Sequence, residues 1–269
     1  MNQREGSKSI PGAMPVLFIG HGSPMNAVED NSFVRVWKET ARQLPKVKAV
    51  LCISAHWESE GTFLSTAKHP STIYDFYGFP DELYSVQYPA PGSMWLADEV
   101  KRLAGFVRFD GERGLDHGCW VVMRRFFPQA DVPVVQLSLD VTHSPHEQYD
   151  LAAQLMPLRD KGVLILCSGN MVHNLGMIAV RGGDINESYG FPWALEASTL
   201  MKKHIDGRDH KALIEYRELG PAVQMAVPTS EHYLPMLYAL ALRKDDEPLV
   251  YFNDTAIAGS LTMTSFRIG

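Results

Sequence analysis

Three apolar runs each lead directly into a histidine. "PVLFI" leads into "GHGSP" with His21, "AVLCI" into "SAHWES" with His56, and "VLILCS" into "GNMVHN" with His173. A fourth run ends in "LDVTHSPH", where His143 or His146 can approach the same edge. A single histidine among ten is usually a surface or satisfied core residue. Three at equivalent positions call for another explanation: neutral imidazole is the commonest ligand for borderline transition metals, and ligands on separate strand ends are held rigidly. A metal site is therefore the leading expectation, although the spacing matches no short metalloprotease signature.

Two more segments could supply side chains to that site. In "VPTSEHYLPMLYALAL", Ser230 is placed to cap a helix whose first turn holds Glu231 and His232. Neighbouring helical positions point about 100° apart, so one of the two would face a given site. In "GLDHGCW", Asp116 is placed to cap a helix, with His117 either an ordinary first-turn residue or an imidazole that helps bind substrate. His69, His204 and His210 lie in polar contexts and are assigned to the surface.

Positioning these groups requires strands covered on both faces. The runs Pro15 to Ile19, Ala49 to Ile53, Val132 to Leu139 and Val163 to Ser168 lack polar alternation, as in a mostly parallel sheet. Helical spacing follows in Ser32 to Leu44 and Ser93 to Ala104, and Ser144, Pro145 and Glu147 together form a capping-box start. Strands alternating with helices imply an α/β fold: a single domain with a central, mostly parallel (mixed) sheet covered by helices on both faces. "EPLVYFN" and "SLTMTSFRI" are expected to add antiparallel edge strands. In such sheets ligands gather outside the carboxyl ends of the strands, where the histidines lie.

Composition narrows the function classes. A formal charge of -6, from 31 acidic and 25 basic residues without a Lys/Arg block, disfavours nucleic acid and anionic membranes as partners. Cys52, Cys119 and Cys167 are odd in number and widely spaced, which argues against a disulfide framework. The N-terminus resembles neither a signal peptide nor a transmembrane span, so a cytoplasmic location is expected. One domain over residues 1–269 is the simplest count, with 1–13 a flexible extension. No glycine-rich phosphate loop follows a strand. The segment Thr72 to Gly92, rich in tyrosine and phenylalanine, reads equally well as a pocket wall or as packed surface.

With these blocks in view, the sequence resembles the class III extradiol ring-cleavage dioxygenases, closest to the DOPA 4,5-extradiol dioxygenase group. The resemblance runs from "LFIGHGSPMNAVEDN" through "SAHWES", "DFYGFPDELY", "YPAPGS", "DHGCW", "SGNMVHNLG" and "PTSEHYLPMLYAL" to "GSLTMTSFRIG". It implies a catalytic domain that opens the ring of a catechol, a small aromatic diol, with O2 at a non-haem Fe(II), giving a muconic semialdehyde. Carried over by block, His21 and His56 match metal ligands, His173 the acid/base histidine, and His117 a histidine that helps bind substrate and oxygen. The third ligand is assigned to His232, with Glu231 its rival, since many class III enzymes place a carboxylate there. An all-histidine set also suits Zn(II), which could draw in His173 as a fourth ligand and close the site. A zinc hydrolase and a non-catalytic binding module on the same fold are the competing readings. For a substrate carboxylate, Arg113, Arg124, Arg125 and Arg181 are candidate partners by proximity to the motifs.

Overall fold

The computed structural model describes residues 12–269, so all but the last two residues of the expected N-terminal extension lie outside the described residues. The strands and helices follow in the order β1 (Val16–Gly20), α1 (Ser32–Arg42), β2 (Ala49–Ser59), β3 (Phe63–Ser65), α2 (Asp81–Tyr84), α3 (Met94–Leu103) and β4 (Arg108–Asp110). They continue with α4 (His117–Phe126), β5 (Val134–Asp140), α5 (Pro145–Gln154), β6 (Val163–Gly169), α6 (Pro192–Asp206), α7 (His210–Ile214) and α8 (Pro221–Ala226). The last elements are α9 (Leu234–Ala241), β7 (Leu249–Phe252), β8 (Ala256–Ile257), β9 (Leu261–Thr262) and β10 (Ser265–Ile268).

Eight strands form one sheet in the order β4-β3-β5-β2-β6-β1-β10-β7. The four central strands, built from the four apolar runs, are mutually parallel. β10 pairs antiparallel with β1, and β7 antiparallel with β10, so among the described residues β7 is the edge on that side. Alternate residues of each central strand enter separate cores. Phe18, Leu51, Leu137 and Ile165 pack with α3, α5, α6 and α9, whereas Leu17, Val50, Val134 and Leu164 pack with α1 and α4. This two-sided burial explains the missing alternation, because both faces of each strand exclude water, at roughly 1.5–3 kcal/mol for each large side chain so buried. The three cysteines are free and buried in these cores.

Helix starts follow local chemistry. Asn31 and Ser93 cap α1 and α3 through their side chains, and the capping box of Ser144 and Glu147 opens α5. Two expectations change. "SAHWES" continues β2 to Ser59 across a register shift between Ile53 and Glu58, so His56 sits in an irregular stretch of the strand. The expected helical turn at Glu231 and His232 is an irregular turn instead. The Ser230 carbonyl accepts from Tyr233 and Leu234, and α9 begins at Leu234 with Pro235 in its first turn. No helix among the described residues is long and apolar enough to cross a membrane.

Candidate active site

Beyond β1, the histidine loop turns at Gly22, which has a φ of 59°. His21, just before it, extends the β1–β6 ladder by one bond, its backbone N–H donating to the Gly169 carbonyl at 3.1 Å. Its Nδ1 lies 3.0 Å from Ser168 Oγ, and that hydroxyl donates its own proton to the Gly118 carbonyl at 2.6 Å. Since the hydroxyl proton is committed, Ser168 can only accept from Nδ1–H. The His21 tautomer is therefore fixed, and Nε2 carries the lone pair facing the site.

His56 brings its Nε2 to 3.1 Å from that of His21. Imidazoles bound at about 2.0–2.1 Å to one ion place their nitrogens roughly 3 Å apart, so this pair fits a shared cation. His232 donates from Nδ1 to Glu231 Oε1 at 3.0 Å, which leaves its Nε2 unprotonated as well. His21, His56 and His232 have ligand atoms all within 4.8 Å of one another. Burial, then the neighbouring imidazoles, holds His21 and His232 well below the ordinary histidine pKa. Burial likewise lowers His56 to about 3. Neutral rings are the form in which histidine binds a metal.

Glu231 does not join that trio; its carboxylate groups with His173 and His232. His173 stacks on the His232 ring with centroids 3.5 Å apart and planes 10° from parallel. Its backbone is anchored by donation to the Ala226 carbonyl and by a bridge to Leu261. Burial lowers its pKa to about 4, with the Glu231 charge opposing the fall. His117 opens α4 behind its cap, Asp116, whose carboxylate accepts from Cys119 N–H, and its ring centroid lies 3.8 Å from that of His56.

Asp75 is a site residue that the sequence alone does not mark. It accepts the His117 backbone N–H at 2.9 Å and faces Nδ1 of His117 at 3.0 Å and of His56 at 3.6 Å. Burial pushes its carboxyl upward, but the hydrogen bonds and charge of His117 outweigh this and hold it below the usual range. The one signal for it is a lone acid inside an aromatic run, "YDFYGF". Two glycines permit the close packing. A Cβ on Gly118 would meet Ser54 Oγ at 2.4 Å and His56 at 2.9 Å, and one on Gly169 would meet the His232 carbonyl oxygen at 2.2 Å.

All five histidines line one cavity of about 410 Å³, walled by Phe76, Tyr77, Phe79, Leu175, Ile178, Ile185 and Leu261. The aromatic segment is thus both wall and packing, since Tyr74 lies against Trp120 and Tyr88 donates to the Phe127 carbonyl. The other histidines stay away: His143 is beside Asp140, His146 pairs with Asp150, His204 with Asp209, and His210 with Tyr149. His69 is exposed, as expected, whereas His204 and His210 are half-buried. Arg124 and Arg125 donate to the carbonyls of Ala27, Asn26 and Glu29, Arg113 to the His56 carbonyl and Asp116, and Arg181 covers the Tyr189 ring.

The family model described as the catalytic LigB subunit of aromatic ring-opening dioxygenase matches residues 15–258. The chain belongs to the LigB family. This LigB-family dioxygenase is 39% identical over 262 residues to a 4,5-DOPA dioxygenase extradiol of Escherichia coli K12, a match covering 95% of each chain. It is 35% identical over 265 residues to the protein of the same name from Beta vulgaris, covering 93% of this chain and 95% of that one. A solved Escherichia coli K12 protein, titled uncharacterized, superposes with a TM-score of 0.82 at 36% identity, covering 95% of this LigB-family chain and all of the other. The LigB assignment accounts for an oxidoreductase built around an aromatic substrate and O2.

Proposed function

We propose that the enzyme opens the ring of a catechol beside its two oxygens, with O2, at a non-haem metal held by His21, His56 and His232. The observation that carries this reading is the convergence of these imidazoles in an aromatic-walled cavity. Three neutral nitrogen donors at this spacing suit a divalent transition metal. Fe(II) is the expected ion for activity because zinc has no redox chemistry, and a bound iron would supply the electron transfer that lets dioxygen react with a closed-shell ring.

The protein's own groups then have separate tasks. Phe76 and Phe79 offer apolar surface to the flat ring, and the cavity they wall off keeps water from the reacting atoms. His173, neutral at pH 7 with its pKa near 4, accepts a catechol hydroxyl proton at a ring nitrogen and later returns it to product oxygen. Such a double transfer is best served by an imidazole titrating near neutrality; burial sets His173 lower, and an anionic catechol beside it would raise it again. His117, oriented by Asp75, presents its imidazole to the same space as a hydrogen-bonding partner for substrate or oxygen. Glu231 fixes the His232 tautomer, and His232 rather than Glu231 is the proposed third ligand. A zinc-loaded form would take His173, which groups with Glu231 and His232, as a fourth ligand.

The test is reconstitution with Fe(II) without oxygen, followed by air and a panel of catechols. The expected result is oxygen uptake in step with catechol loss and a yellow product. Ester or amide hydrolysis without oxygen uptake would instead establish the zinc-hydrolase reading.

A further inference from the structure

The adjacent arginines of "VVMRRFFP", Arg124 and Arg125, do not line the histidine cavity. They line a second cavity of about 330 Å³, together with Lys38 and Arg42 from α1 and with Phe126 and Pro128. Its volume falls at the lower end of the range of small-molecule sites, roughly 300–1,000 Å³. Four of its lining side chains are cationic, and among the described residues none is acidic. Cations in the last turn of a helix commonly serve the helix dipole and nearby carbonyls, and both arginines do part of that work. Arg124 Nε donates to the Ala27 carbonyl at 3.2 Å, while Arg125 donates to the Asn26 and Glu29 carbonyls at 2.6 and 2.8 Å. These three bonds leave most of the guanidinium donors uncommitted. The four charges are also unequally balanced. Lys38 stands 3.0 Å from Asp30, and Arg42 3.0 Å from Glu39. Among the described residues, neither Arg124 nor Arg125 has a carboxylate partner. Burial and then the charge of Arg124 lower the Arg125 pKa, with Asp30 opposing, so the two guanidiniums repel each other.

We infer that this second cavity, separate from the ring-opening site, binds the phosphate group of a phosphate monoester. A phosphate monoester carries a charge of about -1.5 to -2 at neutral pH, which matches two unpaired guanidiniums, whereas a single carboxylate would answer only one of them. Planar guanidinium forks bind phosphate oxygens through paired hydrogen bonds, and Lys38 adds a point charge at the same cavity. Phe126 and Pro128 offer apolar surface to the organic part of the ester.

The experiment titrates the full chain by calorimetry with inorganic phosphate and with glycerol 3-phosphate, at ionic strength held constant with chloride and without catechol or oxygen. Saturable binding with a Kd of about 1 mM or below is expected. Neither heat of binding nor a rise in Tm with either compound overturns the inference. Arg125 is a poor position to substitute, because it holds the Asn26 carbonyl while the buried Asn26 side chain donates to the His21 carbonyl at 2.9 Å. Arg124→Gln should weaken binding on the order of tenfold or more, as for a lost hydrogen bond to a charged group, and an unchanged affinity refutes the site. Should that variant fail to fold, Arg42→Ala decides: its side chain is 72% exposed, so the fold is kept, and affinity should fall about two- to fivefold. His232→Ala should bind phosphate as the parent does, whereas loss of binding there would locate the phosphate among the histidines and overturn the assignment. Vesicles of phosphatidylcholine containing phosphatidic acid separate the two sources of the group: capture by them in preference to glycerol 3-phosphate assigns it to a lipid headgroup, and no capture assigns it to a soluble ester.

Discussion

Gly169→Ala tests whether close packing at the end of β6 sets the metal-binding geometry. The new Cβ would lie 2.2 Å from the His232 carbonyl oxygen, where real Cβ contacts are essentially never below 3.0 Å, so the turn carrying His232 must retreat by about 0.8 Å. Backbone cannot rotate away as a side-chain tip can, and the Asn170 N–H, which donates to the same carbonyl at 2.9 Å, is strained with it. Overpacking of this kind costs about 1–3 kcal/mol, a loss of several degrees in Tm for a domain of this size. The functional loss should be larger, since a misplacement of about 1 Å in a positioned group costs on the order of a hundredfold in rate. Calorimetric Tm, metal content after dialysis and oxygen uptake with a catechol would be measured side by side. Gly105→Ala, at a site where the added methyl meets nothing within 4 Å, is the control and should match the parent protein. Wild-type metal content and turnover in Gly169→Ala would refute the argument that this glycine sets the position of His232.

Three further outcomes follow from the same geometry. His21→Ala, His56→Ala and His232→Ala should each lose metal on dialysis, whereas His173→Ala should retain it and turn over on the order of a hundredfold more slowly; elemental analysis beside oxygen uptake decides, and metal loss in His173→Ala would reassign that residue. Asp75→Asn keeps an acceptor for the His117 N–H but removes the charge facing two imidazoles, so metal affinity or turnover should fall about ten- to a hundredfold with little change in Tm, and unchanged values for both would reduce Asp75 to packing. In metal-free protein His56 and His173 titrate near 3 and 4 when folded and at their ordinary 6.5 when unfolded. The unfolded chain therefore binds more protons below 6.5, so stability is flat above that pH and falls as pH drops toward 4. Urea midpoints should decline already between 6.5 and about 5, above the ordinary carboxylate range, and a constant midpoint there would contradict neutral buried rings.

The central strands were legible because burial on both faces leaves a direct trace in composition, as in "VLILCS" and "AVLCI". The capping box at Ser144 was equally plain, since its partners lie three residues apart. What could not be read depends on contacts distant in sequence. Asp75 acquires its role by meeting His117, 42 residues later. The β3 and β4 strands span three residues each and exist through pairing rather than through a pattern of their own. The turn at Glu231 and His232 has residues that suit a helix start, yet α9 begins only at Leu234, with Pro235 in its first turn, and the His232 carbonyl accepts from the Asn170 N–H. The histidines that follow three apolar runs do line one cavity, although His56 lies within β2 and not beyond its end.

The position of β1 between β6 and β10 bears on how the molecule comes into being. As the chain leaves the ribosome, "VLFIG" is made early while both of its sheet neighbours are still to be translated. A nascent chain therefore exposes an apolar ribbon with two unpaired edges, the kind of surface on which chaperones act. His21 waits through the same interval for His56 and then for His232, so the imidazole cluster can close only after most of the polypeptide has been released.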